Sequence, residues 1–144
     1  MLTRKPDWPH RLHRFLLAQQ DRRFAYGSWD CCLWVCEAVK EMTGVDPAAP
    51  FRSKYSTRTQ AYQLMREYGG RASVEAIVSR VLDDIGMPEV SVLRAHRGDM
   101  ALIPRGANDH SLALVALNGR ELLTCTARGF ASIPLTRAVR AWSV

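Results

Sequence analysis

The stretch FAYGSWDCCLWVCEAV, residues 24–39, decides how the N-terminal half of the chain folds. An apolar run with helical spacing follows Asp30, whose side chain is well suited to accept hydrogen bonds from the first free N–H groups of a helix. The spacing therefore predicts a helix over residues 31–42, capped by Asp30 and ended by Gly44.

The same stretch holds three of the four cysteines of the chain, and Cys125 is the fourth. Periodicity directs Cys32 and Cys36 into the core, where a cysteine is usually an inert small apolar residue. Cys31 falls in the first turn, where backbone N–H groups and the helix dipole stabilise a thiolate, so we predict it as the candidate nucleophile. The cysteine spacing matches no zinc pattern, and we expect no metal and no cofactor.

In the rest of the chain, periodicity and turn signals indicate a helical N-terminal half and a C-terminal half of strands. The predicted further helices are 8–20, 57–68 and 74–85, and the predicted strands are 89–93, 99–103, 111–117, 121–126 and 130–143, the last with a break at Pro134. This order predicts a single α+β domain over 1–144, with residues 1–21 as a basic helical extension.

Asn118-Gly119 lies between two apolar runs and predicts a hairpin. A two-residue turn sets Ser111 opposite Thr126 and turns His110 toward the core face. A three-residue loop sets His110 opposite Thr126, with Thr124 nearby on the same face. The two registers differ by one residue, which reverses the face of every side chain on the strand.

Composition excludes several classes of protein. The chain has 144 residues and is 47% hydrophobic, which is enough for one packed core. No apolar run approaches a membrane span, and the stretch 15–18 is too short for the apolar part of a signal peptide. We therefore expect synthesis in a reducing cytosol and no disulfide scaffold.

The charge is concentrated near the N-terminus. The chain has 20 basic and 14 acidic residues, and residues 1–25 contain six of the basic residues and two of the acidic ones. Such a helix can be a solvated surface, or it can bind phosphates, an acidic polymer or an acidic subunit. No nucleic-acid-binding motif accompanies the charge, so nucleic acid is an unlikely partner, and we predict a docking role in an assembly.

The order of these features resembles the NlpC family of papain-like cysteine hydrolases, and more narrowly the short NlpC-like proteins encoded among phage tail genes. The resemblance spans about residues 22–143. It rests on the aromatic Phe24–Gly27 loop, on Trp-Asp-Cys at a helix start, on Gly98-Asp99 at a strand start, and on a histidine before an apolar strand.

The resemblance implies roles for individual residues. Cys31 matches the nucleophile, and its backbone N–H would belong to the oxyanion hole. Asp30 and Tyr26 match neighbouring site residues. His110 matches the base approximately, because the usual spacing from Asn118-Gly119 falls on Ser111. Thr126 or Thr124 would orient the imidazole.

Two functions follow from this resemblance. The first is a tail-tip cysteine peptidase or amidase that cleaves cell-wall peptides with Cys31 and His110. The second is a catalytically degenerate tail-tip or assembly protein that keeps the fold. Both imply a virion location and other tail subunits as partners, and the first adds bacterial peptidoglycan.

Overall fold

The computed structural model describes residues 2–144, in which four helices precede a six-stranded antiparallel sheet. The helices are α1 (Trp8–Gln19), α2 (Cys31–Thr43), α3 (Arg58–Gly69) and α4 (Val74–Asp84). The strands are β1 (Glu89–Val90), β2 (Met100–Arg105), β3 (Asp109–Val115), β4 (Glu121–Thr126), β5 (Gly129–Pro134) and β6 (Arg140–Trp142). The predicted α+β class is confirmed.

The helix starts follow the side chains that precede them. Asp30 caps α2, Thr57 accepts a hydrogen bond from Gln60 N at 3.2 Å before α3, and Ser73 caps α4 in the same way. Gly44 ends α2 with a φ of +84°, a left-handed conformation that favours glycine. These local signals explain why the helices begin close to their predicted positions.

The sheet has the order β1-β6-β2-β3-β4-β5, with every neighbouring pair antiparallel. The predicted strand over 130–143 is two strands, separated by a 3₁₀ turn at Leu135–Arg137. Pro134 has no N–H to continue a ladder, which agrees with the end of β5 at this residue. Strand β6 then lies between β1 and β2, away from β5.

The β3–β4 hairpin adopts the first of the two predicted registers. Leu114 pairs with Leu123 and Val115 with Leu122, as a two-residue turn requires. Further along β4, the carbonyl oxygen of Thr126 accepts a hydrogen bond from Phe24 N at 3.0 Å. The loop between α1 and α2 thus contacts β4 at the end distant from the hairpin turn.

The two faces of the sheet are packed differently. Leu112 and Leu114 of β3 belong to the large core shared with the helices, whereas Ala113 and Val115 belong to a smaller cluster. Alternation along β3 therefore directs even-numbered residues toward the helices. Among residues 2–144, no helix is both long enough and apolar enough to cross a bilayer.

Helix α1 packs against α2. Leu12 is completely buried, and the ring of Phe15 lies 6.0 Å from that of Trp29 between centroids. The backbone N–H of Lys5 also donates to the carbonyl of Met42 at 2.8 Å. The docking role of residues 1–21 stays a prediction, but this segment also contributes side chains to the core.

We expect Leu12→Ala to lower the free energy of unfolding by about 3 kcal/mol, because it removes a fully buried side chain and leaves a cavity. Leu17→Ala is the matched control on the same helix, since Leu17 is 53% exposed. Urea unfolding followed by circular dichroism measures both. Equal, small losses would mean that α1 is peripheral to the core.

Candidate functional site

The carboxylate of Asp30 organises the start of α2. Its Oδ1 accepts hydrogen bonds from the backbone N–H groups of Cys32 at 3.2 Å and Leu33 at 3.0 Å. Its Oδ2 accepts from Gly27 N at 3.1 Å and from the hydroxyl of Tyr55. Asp30 is only 4% exposed, so these four donors replace the water that its charge would otherwise require.

The loop before Asp30 closes on itself and on the chain near Tyr55. Ala25 and Trp29 form an isolated bridge with backbone hydrogen bonds of 3.1 and 2.9 Å. Gly27 has a φ of +82°, and a Cβ there would lie 2.0 Å from the carbonyl oxygen of Tyr55. Only glycine permits this contact, and the contact holds the loop beside the first turn of α2.

Cys31 is the first residue of α2 and is 6% exposed. A hydrogen bond with Cys32, whose sulfur lies 3.8 Å away, contributes most to lowering the pKa of Cys31. Burial opposes this change, while the backbone N–H of Leu112 and the side chain of Ser111 lower the pKa further. The net effect favours a thiolate at Cys31 and raises the pKa of Cys32.

The remaining cysteines lack this stabilisation. Burial raises the pKa of Cys36 far above the ordinary value and that of Cys125 to about 12. The thiol of Cys125 lies 3.8 Å from the carbonyl oxygen of Trp29, to which it donates. The burial of Cys36 agrees with the inert role predicted for it from periodicity.

The hydroxyl of Ser111 on β3 contributes to lowering the pKa of Cys31. His110 is its neighbour on the strand, so the two side chains point to opposite faces. The imidazole Nδ1 of His110 lies 3.7 Å from Oε2 of Glu75 on α4, and Glu75 also pairs with Arg140. The structure thus directs His110 toward α4, and the catalytic role of His110 stays a prediction.

The two candidate orienting threonines lie on β4. The hydroxyl of Thr126 donates to the carbonyl of Gly129 at 2.8 Å and accepts from Arg128 N at 3.1 Å, so it stabilises the β4–β5 turn. Thr124 pairs with Ala131 of β5. The orienting roles of both residues stay predictions.

Two adjoining clefts open near Cys31. The larger, of about 360 Å³, lies between the ends of β2, β3 and β4 and includes Ser111 and Thr124. The smaller, of about 30 Å³, contains Cys31 and Tyr26, and Arg105 lines both clefts. The two clefts thus adjoin at Phe24 and Arg105.

Sequence reasoning missed two contributors to this site. Tyr55 lies in an irregular connector, and only the folded chain brings its hydroxyl to Asp30. Arg105 lies at the end of β2, where its charge alone gives no signal of a nearby sulfur. Within residues 2–144, no group of three or more His, Cys, Asp or Glu side chains could hold a metal ion.

Comparison with known proteins gives a family without an assigned activity. The family model described as Domain of unknown function (DUF6950) matches residues 3–144. No curated protein matches the chain.

We expect iodoacetamide to alkylate Cys31 before the other cysteines, because its pKa is lowered whereas the pKa values of the other three are raised. The midpoint of the rate–pH profile should lie below that of an ordinary thiol, about 8.5. Ser111→Ala should move this midpoint upward, since it removes a donor to the thiolate. Thr124→Ala is the control in the same groove, and peptide mapping by mass spectrometry measures all of these rates.

Earlier modification of Cys32 or Cys125 would contradict this assignment. An unchanged midpoint in Ser111→Ala would mean that the hydroxyl does not stabilise the thiolate.

We expect Asp30→Ala to lower the free energy of unfolding by about 3 kcal/mol or more, because it removes a helix cap and leaves buried donors unpaired. Tyr55→Phe should cost less, about 1.5 kcal/mol, because it removes a single hydrogen bond to a charged acceptor. Asp21→Ala is the control, since Asp21 is exposed. Urea unfolding of the two single variants and the double variant measures the coupling free energy between Asp30 and Tyr55. Additive losses of unfolding free energy in the double variant would contradict a direct interaction between the two residues.

Proposed function

The chain belongs to the DUF6950 family, and we propose that it is a structural tail-tip or assembly protein of a bacteriophage, with an NlpC-like, papain-type core that does not hydrolyse cell-wall peptides. The papain-type fold and the tail location are proposed from the sequence resemblance across residues 22–143. An α+β core with a capped cysteine helix against an antiparallel sheet is compatible with that resemblance.

One observation carries the non-hydrolytic part of the proposal. The β3 side chain that contributes to lowering the pKa of Cys31 is the hydroxyl of Ser111, whereas the imidazole of His110 lies beside Glu75. A serine hydroxyl neither accepts a thiol proton near neutral pH nor delivers one to a leaving amine, and amide cleavage needs both transfers. His110 has a carboxylate partner, Glu75, on α4.

A second candidate function is a cysteine peptidase or amidase acting on peptidoglycan. It is favoured by the lowered pKa of Cys31 at the start of α2. In that mechanism the thiolate would attack the amide carbon and the Cys31 backbone N–H would bind the oxyanion. His110 would have to leave Glu75 to protonate the departing amine, with Thr124 or Thr126 as its orienting group.

Release of soluble fragments from dye-labelled peptidoglycan sacculi distinguishes the two functions. We expect no release above the Cys31→Ala background for the wild-type chain. Ser111→His, which supplies an imidazole at the β3 position whose side chain influences the pKa of Cys31, should introduce release that depends on Cys31. Cys125→Ala is the control for loss of an unrelated buried thiol.

Release by the wild-type chain that is abolished by both Cys31→Ala and His110→Ala would overturn the scaffold proposal in favour of the hydrolase. The tail assignment has its own measurement, which is mass spectrometry of phage particles purified from a strain that carries the gene. Absence of the chain from those particles would contradict it.

A further inference from the structure

Three arginines without a carboxylate partner line a series of adjoining clefts, the last of which contains Cys31. Arg58, Arg66 and Arg105 are exposed, and none of them forms an ion pair with any residue of 2–144. The guanidinium of Arg58 lies 5.4 Å from the ring centre of Tyr62, and that of Arg105 lies 5.7 Å from the ring of Phe24. Aromatic rings thus lie beside two of the charges, and Arg58 also forms a hydrogen bond with the side chain of Tyr62.

The same side chains line connected grooves. Arg58 and Tyr62 border an open cleft of about 510 Å³ that includes Arg66, and also a narrower one of about 190 Å³ that includes Arg105. Tyr62 and Arg105 in turn line the pocket that contains Cys31. We call this continuous surface, defined by Arg58, Tyr62, Arg66 and Arg105, the arginine groove.

We propose that the arginine groove binds an extended acidic segment of a partner protein. Guanidinium groups match carboxylates with paired hydrogen bonds, and three of the arginines that form no ion pair line this one path. Asp109 lies within the narrower cleft, where its carboxylate accepts hydrogen bonds from the Tyr62 hydroxyl and the His110 backbone N–H.

The presence of Asp109 favours a peptide over a nucleic acid. A peptide supplies carboxylates for the arginines together with backbone N–H donors for an acidic groove wall. The charge of Asp109 repels phosphates and carboxylates alike, but a phosphodiester backbone supplies only acceptors and has no group that can donate to Asp109. Peptide chemistry therefore fits both signs of charge in the groove.

This inference deepens the proposed function. It rests on that function in one respect, which is the expectation that the bound segment is not cleaved. An assembly protein needs a surface that retains a neighbour, and the narrow pocket at Cys31 gives the groove a closed end. The partner class is then a protein with an exposed glutamate- or aspartate-rich stretch.

Fluorescence anisotropy with a short labelled oligoglutamate peptide tests the proposal on the full chain. The variant Arg58→Gln/Arg105→Gln should weaken binding about tenfold or more, because it removes two charge-assisted contacts. The control Arg14→Gln/Arg120→Gln removes the same charge from exposed residues on α1 and at the β3–β4 turn, and should change the affinity less than about twofold. Because all four arginines are exposed, the melting temperatures of both double variants should equal that of the wild-type chain. The single variants Arg58→Gln and Arg105→Gln provide a second measurement of the affinity that each arginine contributes.

Equal weakening in both double variants would overturn the proposal, because it would indicate attraction by net charge alone. No binding by the wild-type chain would also overturn it. Tighter binding of oligothymidylate, lost in the Arg58/Arg105 variant, would assign the groove to nucleic acid instead. Mass spectrometry of the peptide after incubation reports separately on the proposed function, because cleavage of the peptide would overturn the scaffold role. The affinity ratios between the variants would still show whether the arginine groove binds the peptide.

Discussion

The buried carboxylate of Asp30 is the interaction on which the rest of the site depends. It joins three separate pieces of the chain, which are the loop at Gly27, the first turn of α2 and the connector at Tyr55. An isolated buried charge would cost several kcal/mol, so its four donors must all be in position when the core closes. The position of the Cys31 thiol is a consequence of this requirement, since the cap determines which residue is first in the helix.

Much of the fold could be predicted because its signals are local. Caps such as Ser73, terminators such as Gly44 and the 3.6-residue spacing of α2 each depend on a few neighbouring residues. The order of the strands could not be predicted in the same way. The insertion of β6 between β1 and β2 depends on packing between distant segments, and the sequence around Pro134 indicates only that a strand is interrupted there.

The same distinction between local and long-range signals applies to the candidate site. Cys31 and Asp30 could be identified because a helix start has a recognisable pattern. The choice between His110 and Ser111 depended on a register shift of one residue, which a hairpin signal alone could not decide. Tyr55 and Arg105 gave no signal at all, because their relation to the sulfur exists only in three dimensions.

The topology of the sheet also constrains the time order in which the chain can fold. Within residues 2–144, strand β1 pairs only with β6, and the whole of β2 to β5 separates the two along the chain. During synthesis, β1 must therefore stay unpaired until the last strand has left the ribosome. Closure of this long loop costs entropy before any contact compensates for it, which makes folding slow relative to a simple hairpin meander. A nascent chain with this topology exposes the apolar side chains around β1 and β2 to chaperones until the final strand arrives.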